Sequence, residues 1–346
     1  MRRWRVPDSS PSRGRVRLID VANLAGVTKS VASRILSRDE TLNVRPSTRE
    51  RVLEAAERLQ YSPHAGARAL AASTTGALSL LIPDLTNPVY ARIARGAYQR
   101  AHELGYVVLL AEDTEETDAG TDFTDLVAAG RVDGLLIASA RRDHPLIESG
   151  RLAAIPHVFV NRTVPGSGRN VTVDLRLAST VAFQHLHRLG HRRMAHISGP
   201  GDLSPARERE RGFSAAADEA GAPPPLVVHA DFSEAGGYGA VEQILDERPD
   251  VTAIYAGTLP QSIGAMKSLH RRGRRVPEEV SLLSADDLPM AGYLTPALTA
   301  LELPLQELGT AAVDELVHQL HGQPARDVTL SAGIRIIDRD SVGAAP

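Results

Sequence analysis

The stretch "IDVANLAGVTKSVASRIL", Ile19–Leu36, decides how the rest of this chain is read. Leu18, Val21, Ala22 and Ala25 fall on one helical face, and Asp20 places negative charge in the first turn, where the helix dipole favours it. Gly26 stops that helix at a position needing positive φ. Thr28 is then an N-cap for a second helix, roughly Lys29–Leu36, with Val31, Ala32 and Ile35 as its apolar positions. Two short helices joined by a glycine turn are the outline of a helix-turn-helix. Ala22 and Ala32 allow the helices to cross closely. Lys29, Ser30, Ser33 and Arg34 form a front without long apolar side chains, which suits a helix that reads base edges in a major groove.

Outward from this unit, "PSTRERVLEAAERLQY" predicts a third helix, with Pro46 in its first turn and Val52, Leu53, Ala56 and Leu59 as the core stripe. "SPHAGARALAAS" is short, carries Gly66, and leaves Leu70 without an obvious core, so it predicts a helix that does not stand alone. Residues 1–16, rich in Arg, Ser and Pro without periodicity, predict a disordered basic extension.

Charge separates this head from the remainder. Residues 1–75 hold 14 Lys and Arg against 7 Asp and Glu, whereas the rest of the chain is acidic within a total of −3. A basic head on an acidic body points to a polyanionic partner, with a merely solvated basic surface as the alternative. The absence of cysteine excludes disulfides, thiolate nucleophiles and Cys-based zinc sites. No apolar run reaches membrane-spanning length, and no h-region follows the basic N-terminus, so a cytoplasmic protein without a membrane partner is expected.

From Gly76 the pattern becomes β/α. "ALSLLIP", "YVVLLAE", "VDGLLIAS" and "HVFVNR" read as buried parallel strands. After about Val173 the rhythm restarts with "RRMAHISG", "PLVVHAD", "VTAIYAG" and "VSLLSA". Two successive sets predict an α/β core of two doubly wound subdomains, with ligands bound outside the carboxyl ends of the strands. There is no dinucleotide fingerprint, phosphate loop or nucleophile elbow. His185 and His187 sit two apart on a helix and face different sides, which argues against a metal. No catalytic residue, cofactor or metal is expected.

Three segments in order, "DVANLAGVTKSVASRIL", "TRERV" and "YSPHAGARAL", resemble the head of the LacI/GalR family of transcription regulators. The body resembles that family's core, which has a periplasmic-binding-protein-like fold, through "IPDLTNPVYARI", "RVDGLLI", "HLHRLGHRRMAHISGP", "RERGF", "VPEEVSLLSADD" and "TPALTALELP". The resemblance spans 17–340 and implies a helix-turn-helix domain at 17–62 and a hinge at 63–75. It also implies a core at 76–346, with one subdomain near 76–174 and 303–331 and the other near 175–302 and 332–346.

By the resemblance, Lys29, Ser30 and Arg34 read major-groove bases and Thr48 meets a phosphate. Ala67 and Leu70 enter the minor groove, where the leucine kinks the duplex. His64 replaces the hinge Asn, Arg45 replaces a capping Ser, and Val31–Ala32 replace a Thr–Val pair. The cleft would draw on Asp84, Asn87, Tyr90, Asn161 and Arg162 from one side and Arg209, Phe232 and Asp286 from the other. Asp84 and Asn87 have a local reading as helix caps, and Phe232 as core. Leu259 stands where the family carries an Asp that accepts effector hydroxyls. A hydroxyl aimed there would lose roughly 1.5–3 kcal/mol, which implies a less polar ligand or a weakened response.

The function implied is a homodimeric, sequence-specific repressor of double-stranded DNA with a pseudo-palindromic operator. It would be controlled by a small-molecule effector of which sugars are one class. The alternatives are an exported solute-binding protein, which has no use for residues 17–72, and a regulator whose effector site is altered or lost.

Overall fold

The computed structural model describes residues 16–37, 41–61, 74–112, 127, 129–139, 147 and 150–346. The chain divides into two compact units at Thr75/Gly76. The expectations for residues 1–15 and for hinge residues His64, Ala67 and Leu70 lie outside the described residues.

In the first unit, α1 runs Leu18–Ala25, α2 Lys29–Leu36 and α3 Pro46–Arg58. The Arg17 backbone N–H donates to Asp20 Oδ2 at 2.8 Å, which fixes the start of α1. Gly26, at φ 66°, ends α1, and Val27 N–H closes the turn onto the Ala22 carbonyl. Thr28 Oγ1 accepts from the Val31 N–H and caps α2. Arg45 precedes α3 without a side-chain cap. The core is Val21, Ala22, Ala25, Ala32, Ile35, Val52, Ala55 and Ala56. Leu53 departs from the expected stripe: it is 50% exposed and Ala55 is buried instead. Positions 52, 55, 56 and 59 share a face at the helical period, while Leu53 is turned about 100° away from Val52.

The second unit holds two sheets. In the first, β1 (Ala77–Ile82), β2 (Val107–Glu112), β3 (Gly134–Ile137), β4 (His157–Val160), β5 (Asn170–Val173) and β11 (Val328–Leu330) lie in the order β11-β5-β4-β3-β1-β2. In the second, β6 (Met194–Ser198), β7 (Leu226–His229), β8 (Ala253–Ala256), β9 (Ser281–Ser284), β10 (Ala300–Glu302) and β12 (Arg335–Ile337) lie in the order β12-β10-β9-β8-β6-β7. Pairings are parallel except β10 with β12. The strands on either side of β1 and β6 lie to opposite flanks, so each sheet has a switch point beside its first strand. The helices are α4 (Pro88–Glu103), α5 (Leu175–Arg188), α6 (Ser204–Glu219), α7 (Glu234–Glu247), α8 (Leu259–Arg271) and α9 (Leu305–Leu320).

Glycines set two helix crossings. A Cβ at Gly96 of α4 would lie 1.8 Å from the Gln306 carbonyl oxygen of α9, and one at Gly264 of α8 would lie 1.8 Å from that of Glu234. The segment "YVVLLAE" departs from the buried strand expected of it. As β2 it ends its sheet, with Val107 at 58% exposure and Leu109 and Leu110 also exposed. Among the described residues no helix is long and apolar enough to cross a membrane.

Candidate nucleic-acid interface and effector cleft

The buried face of α2 is Ala32 and Ile35, so its opposite face is turned outward. Lys29, Ser30 and Ser33 are exposed and Arg34 is half-buried, with Arg34 NH2 donating to Thr41 Oγ1 at 3.0 Å. Thr48, in the first turn of α3, shares a groove of about 610 Å3 with Asn23, Thr28 and Arg51. Arg51 and Asn23 escaped the sequence reading. Arg51 lies three residues after Thr48 on α3, and its Nε donates to the Ala25 carbonyl at 3.3 Å, which holds the guanidinium beside the glycine turn. A threonine followed one turn later by arginine was the available signal.

In the core, the anticipated residues divide into groups. Asp84 Oδ1 accepts from Thr86 N–H at 2.7 Å and Thr86 Oγ1 at 2.6 Å. Asn87 caps α4 by accepting from the Val89 N–H. Asn87 thus carries the local capping role, while Asp84 braces the loop before it rather than the helix. Tyr90 and Arg162 are brought together: Arg162 NH2 donates to Tyr90 Oη at 3.3 Å and its Nε to the Ala138 carbonyl. Arg162 is 6% exposed and forms no ion pair among the described residues. Asn161, just before it, has φ 56°, which turns the chain out of β4. A cavity of about 290 Å3 is lined by Asn161, Arg162, Thr172, Asp174, Ser204 and Glu208, among others.

The second sheet supplies Arg209 from α6 and Asp286 from just beyond β9. They are buried at 5% and 0% exposure, with Arg209 NH2 3.7 Å from Asp286 Oδ1. Neither Asp286 oxygen nor Arg209 Nε has a hydrogen-bond partner. Burial pushes the Asp286 carboxyl upward and Arg209 pulls it partly back. Buried polar groups are normally satisfied, so this pair carries hydrogen-bonding capacity that its protein neighbours leave unused.

Beneath it the rings of Tyr255, His196 and Phe213 stack, with His196 4.8 Å from Tyr255 and 5.6 Å from Phe213. His196 Nδ1 donates to the Tyr255 carbonyl at 3.0 Å, leaving Nε2 buried without a partner. Burial lowers its pKa to about 4. Tyr255 Oη meets Ser179 Oγ at 3.2 Å. Phe232 is half-buried over Gly199, where a Cβ would lie 2.0 Å from its ring.

Leu259 is not gathered with these residues. It is buried in the first turn of α8 and lines a separate cavity with Ile263, Leu288 and Arg92. Thr258 instead ends the strand-exit turn and caps α8. Gln261, another residue not singled out from sequence, donates through Nε2 to the carbonyls of Ser198 and Asp231, both at 3.0 Å, and ties the ends of β6 and β7 together. Among the described residues no group of three or more His, Asp or Glu side chains could hold a metal.

A helix-turn-helix head with a two-sheet ligand-binding core defines a ligand-controlled DNA-binding regulator. Residues 17–64 match the model of bacterial regulatory proteins of the lacI family, and residues 183–342 match that of a periplasmic binding protein-like domain. The chain is 32% identical to the ribose operon repressor of Escherichia coli K12 over 305 residues, covering 87% of this chain and 92% of that protein. Among solved structures, the complex of the transcriptional regulator CelR with cellobiose superposes with a TM-score of 0.72 at 30% identity, covering 94% and 100% of the two chains. The lac repressor dimer bound to operator and the anti-inducer ONPF superposes at 0.85 with 25% identity, covering 95% and 99%. The chain belongs to the LacI family of bacterial transcription regulators.

Proposed function

We propose that this regulator acts as a homodimeric repressor whose α2 enters the major groove of each half of a pseudo-palindromic operator. Lys29, Ser30, Ser33 and Arg34 face the bases, and Thr48 with Arg51 holds the phosphate backbone. Within the hinge, 63–75, Ala67 and Leu70 enter the minor groove and His64 takes the place of an Asn that contacts a phosphate. The reading rests on one observation: α2 buries Ala32 and Ile35 and exposes Lys29, Ser30 and Ser33, with Arg34 half-buried beside them. The solved lac repressor is a dimer on its operator, and the exposed apolar edge formed by Val107, Leu109 and Leu110 offers this chain a self-association surface.

The core, 76–346, serves as a sensor rather than a catalyst. Its subdomains are 76–174 with 303–331 and 175–302 with 332–346. Arg209 and Asp286 present one unpaired donor and two unpaired acceptor oxygens to a hydroxylated effector, and Tyr90 with Arg162 closes on it from the other subdomain. Effector binding shifts the core between two arrangements, and the favoured one disfavours operator contact. A regulator that binds operator DNA works where that DNA lies, in the cytoplasm.

The test is binding to operator-like duplexes across a salt series. Affinity should fall steeply with salt, and Arg34→Ala should cost about 1–3 kcal/mol on the preferred sequence. Salt-insensitive binding, or equal affinity for all duplexes, rejects the reading.

A further inference from the structure

Arg162 and the Arg209–Asp286 pair set different demands on one occupant of the effector cleft. Arg162 is 6% exposed, yet no carboxylate neutralises it among the described residues. Its Nε donates to the Ala138 carbonyl and its NH2 to Tyr90 Oη, which fixes the plane of the guanidinium and leaves NH1 without a partner among those residues. The cavity of about 290 Å3 that Arg162 lines also holds two carboxylates, and both are engaged elsewhere. Glu208 Oε2 meets Arg176 Nε at 2.7 Å, and Asp174 caps α5 by accepting from the Leu177 N–H at 2.9 Å. A buried cation is normally paired, so this guanidinium calls for one negative group from a ligand. The same ligand reaches Asp286. The Thr163 N–H donates to Ser204 Oγ at 2.9 Å, which brings the turn after β4 against the first turn of α6. Arg209 follows five residues after Ser204, about 7.5 Å along that helix, beside the unpartnered oxygens of Asp286. A monosaccharide covers that distance.

We infer that the effector is a polyhydroxylated monocarboxylate, a sugar acid of the aldonate or uronate type, with its carboxylate on Arg162 and its hydroxyls on Asp286 and Arg209. This rests on the core acting as the sensor and names the chemistry it senses. Asp286 receives donors only, and an ammonium group there would meet Arg209 at its side, so hydroxyls fit and amines do not. The carboxylate goes to Arg162 rather than Arg209, because Arg209 already stands 3.7 Å from Asp286. The free edge of the Arg162 guanidinium matches two carboxylate oxygens. A phosphate ester would bring about two negative charges to one cation in a cavity that already holds Asp174 and Glu208, so phosphorylated sugars are rejected. Leu259 lines another cavity, so the less polar ligand expected from it does not apply to this space.

The experiment is a thermal-shift titration of the full-length protein, followed by calorimetry, with ribonate, gluconate, glucuronate and galacturonate. The controls are ribose, glucose and galactose as neutral counterparts and glucose 6-phosphate as the dianion. At least one acid should give a saturable rise in Tm and bind roughly tenfold or more tightly than its neutral counterpart. Arg162→Gln should weaken that acid roughly tenfold or more and bring it level with the neutral sugar. Should that variant fold poorly, Arg162→Lys keeps the charge and loses the fork, so it should weaken the acid while still preferring it to the neutral sugar. Neutral sugars that bind as tightly as the acids, tighter binding of glucose 6-phosphate, no shift with any acid, or full acid binding by Arg162→Gln each overturn the inference. Operator binding measured on the same preparation separates the two conclusions. Salt-steep operator affinity with a neutral sugar as ligand keeps the regulator and discards the acid, whereas acid binding by a protein that ignores every duplex keeps this site and discards the regulator.

Discussion

Arg209 NH2 stands 3.7 Å from Asp286 Oδ1 at the centre of the core, and neither carboxylate oxygen of this fully buried Asp286 accepts a hydrogen bond. Two opposite charges lie close enough to attract and too far apart to satisfy each other. Removing Arg209 leaves the carboxylate buried and unpaired. Arg209→Met should therefore lower stability by about 3–5 kcal/mol in denaturant unfolding, and a loss under a few tenths would show that the pair is not coupled.

Asp286→Asn should act on the pH dependence of stability. The folded pKa of Asp286 is raised by burial, so the native state holds its proton more tightly than the unfolded chain does. That contribution is fully present below the unfolded pKa and is lost as pH rises through the folded one. Asn tolerates the φ of 67° but has no proton to lose, and it leaves Arg209 buried without a carboxylate. The variant's stability should therefore fall less than the parent's as pH rises from acid, and it should lose effector response. An unchanged pH slope would contradict this.

His196 shifts the other way. With a folded pKa of about 4 against an ordinary 6.5, the native state resists protonation, so stability present above 6.5 falls as pH drops toward 4. The full loss is about 3 kcal/mol at the acid end. His196→Phe keeps a ring against both Phe213 and Tyr255 and removes the unpartnered Nε2. Its unfolding free energy should vary less between pH 7 and 4 than the parent's, and an unchanged pH slope would place the acid lability elsewhere.

Gly199→Ala should affect ligand binding more than folding. A methyl group there meets the ring of Phe232 at 2.0 Å, and the half-buried ring must swing out. Stability should fall by about 1–3 kcal/mol while effector affinity drops by a larger factor. Unaltered affinity would make Phe232 a packing residue only.

The apolar edge strand β2 offers a simple assay of assembly. Leu109→Lys and Leu110→Lys place charge on exposed positions and should leave the far-UV spectrum intact. Sedimentation should show a shift toward monomer, accompanied by weaker operator binding, because two half-sites need two heads. A dimer unchanged by both substitutions would move the interface off this edge.

The local elements were legible in the sequence because local rules govern them. Gly26 ends α1 by its left-handed φ, Thr28 caps α2, and Pro46 opens α3, each through groups only a few residues apart. The β/α rhythm likewise predicts two sheets, since continuous apolar runs report strands covered on both faces. Where covering depends on position in the sheet, the pattern misled: "VVLL" in β2 looks like a buried run, but β2 ends its sheet and leaves those side chains open. Leu53 shows the same on a helix, because whether the face of Val52 or that of Leu53 is buried depends on the helices it meets.

The sequence by itself determined the reading head and the two-sheet core, which follow from periodicity, capping and motif spacing, while the residues expected in the cleft came from the family resemblance. Only the tertiary structure decided the company each residue keeps. It joined Tyr90 with Arg162 across 72 positions and Arg209 with Asp286 across 77, left Asn87 as a helix cap and Asp84 as a loop brace, and turned Leu259 into a separate cavity with Arg92 and Arg95. Long-range partners are set by how sheets twist and helices cross, as at Gly96 against Gln306, and close approaches of that kind leave no local periodicity in the chain.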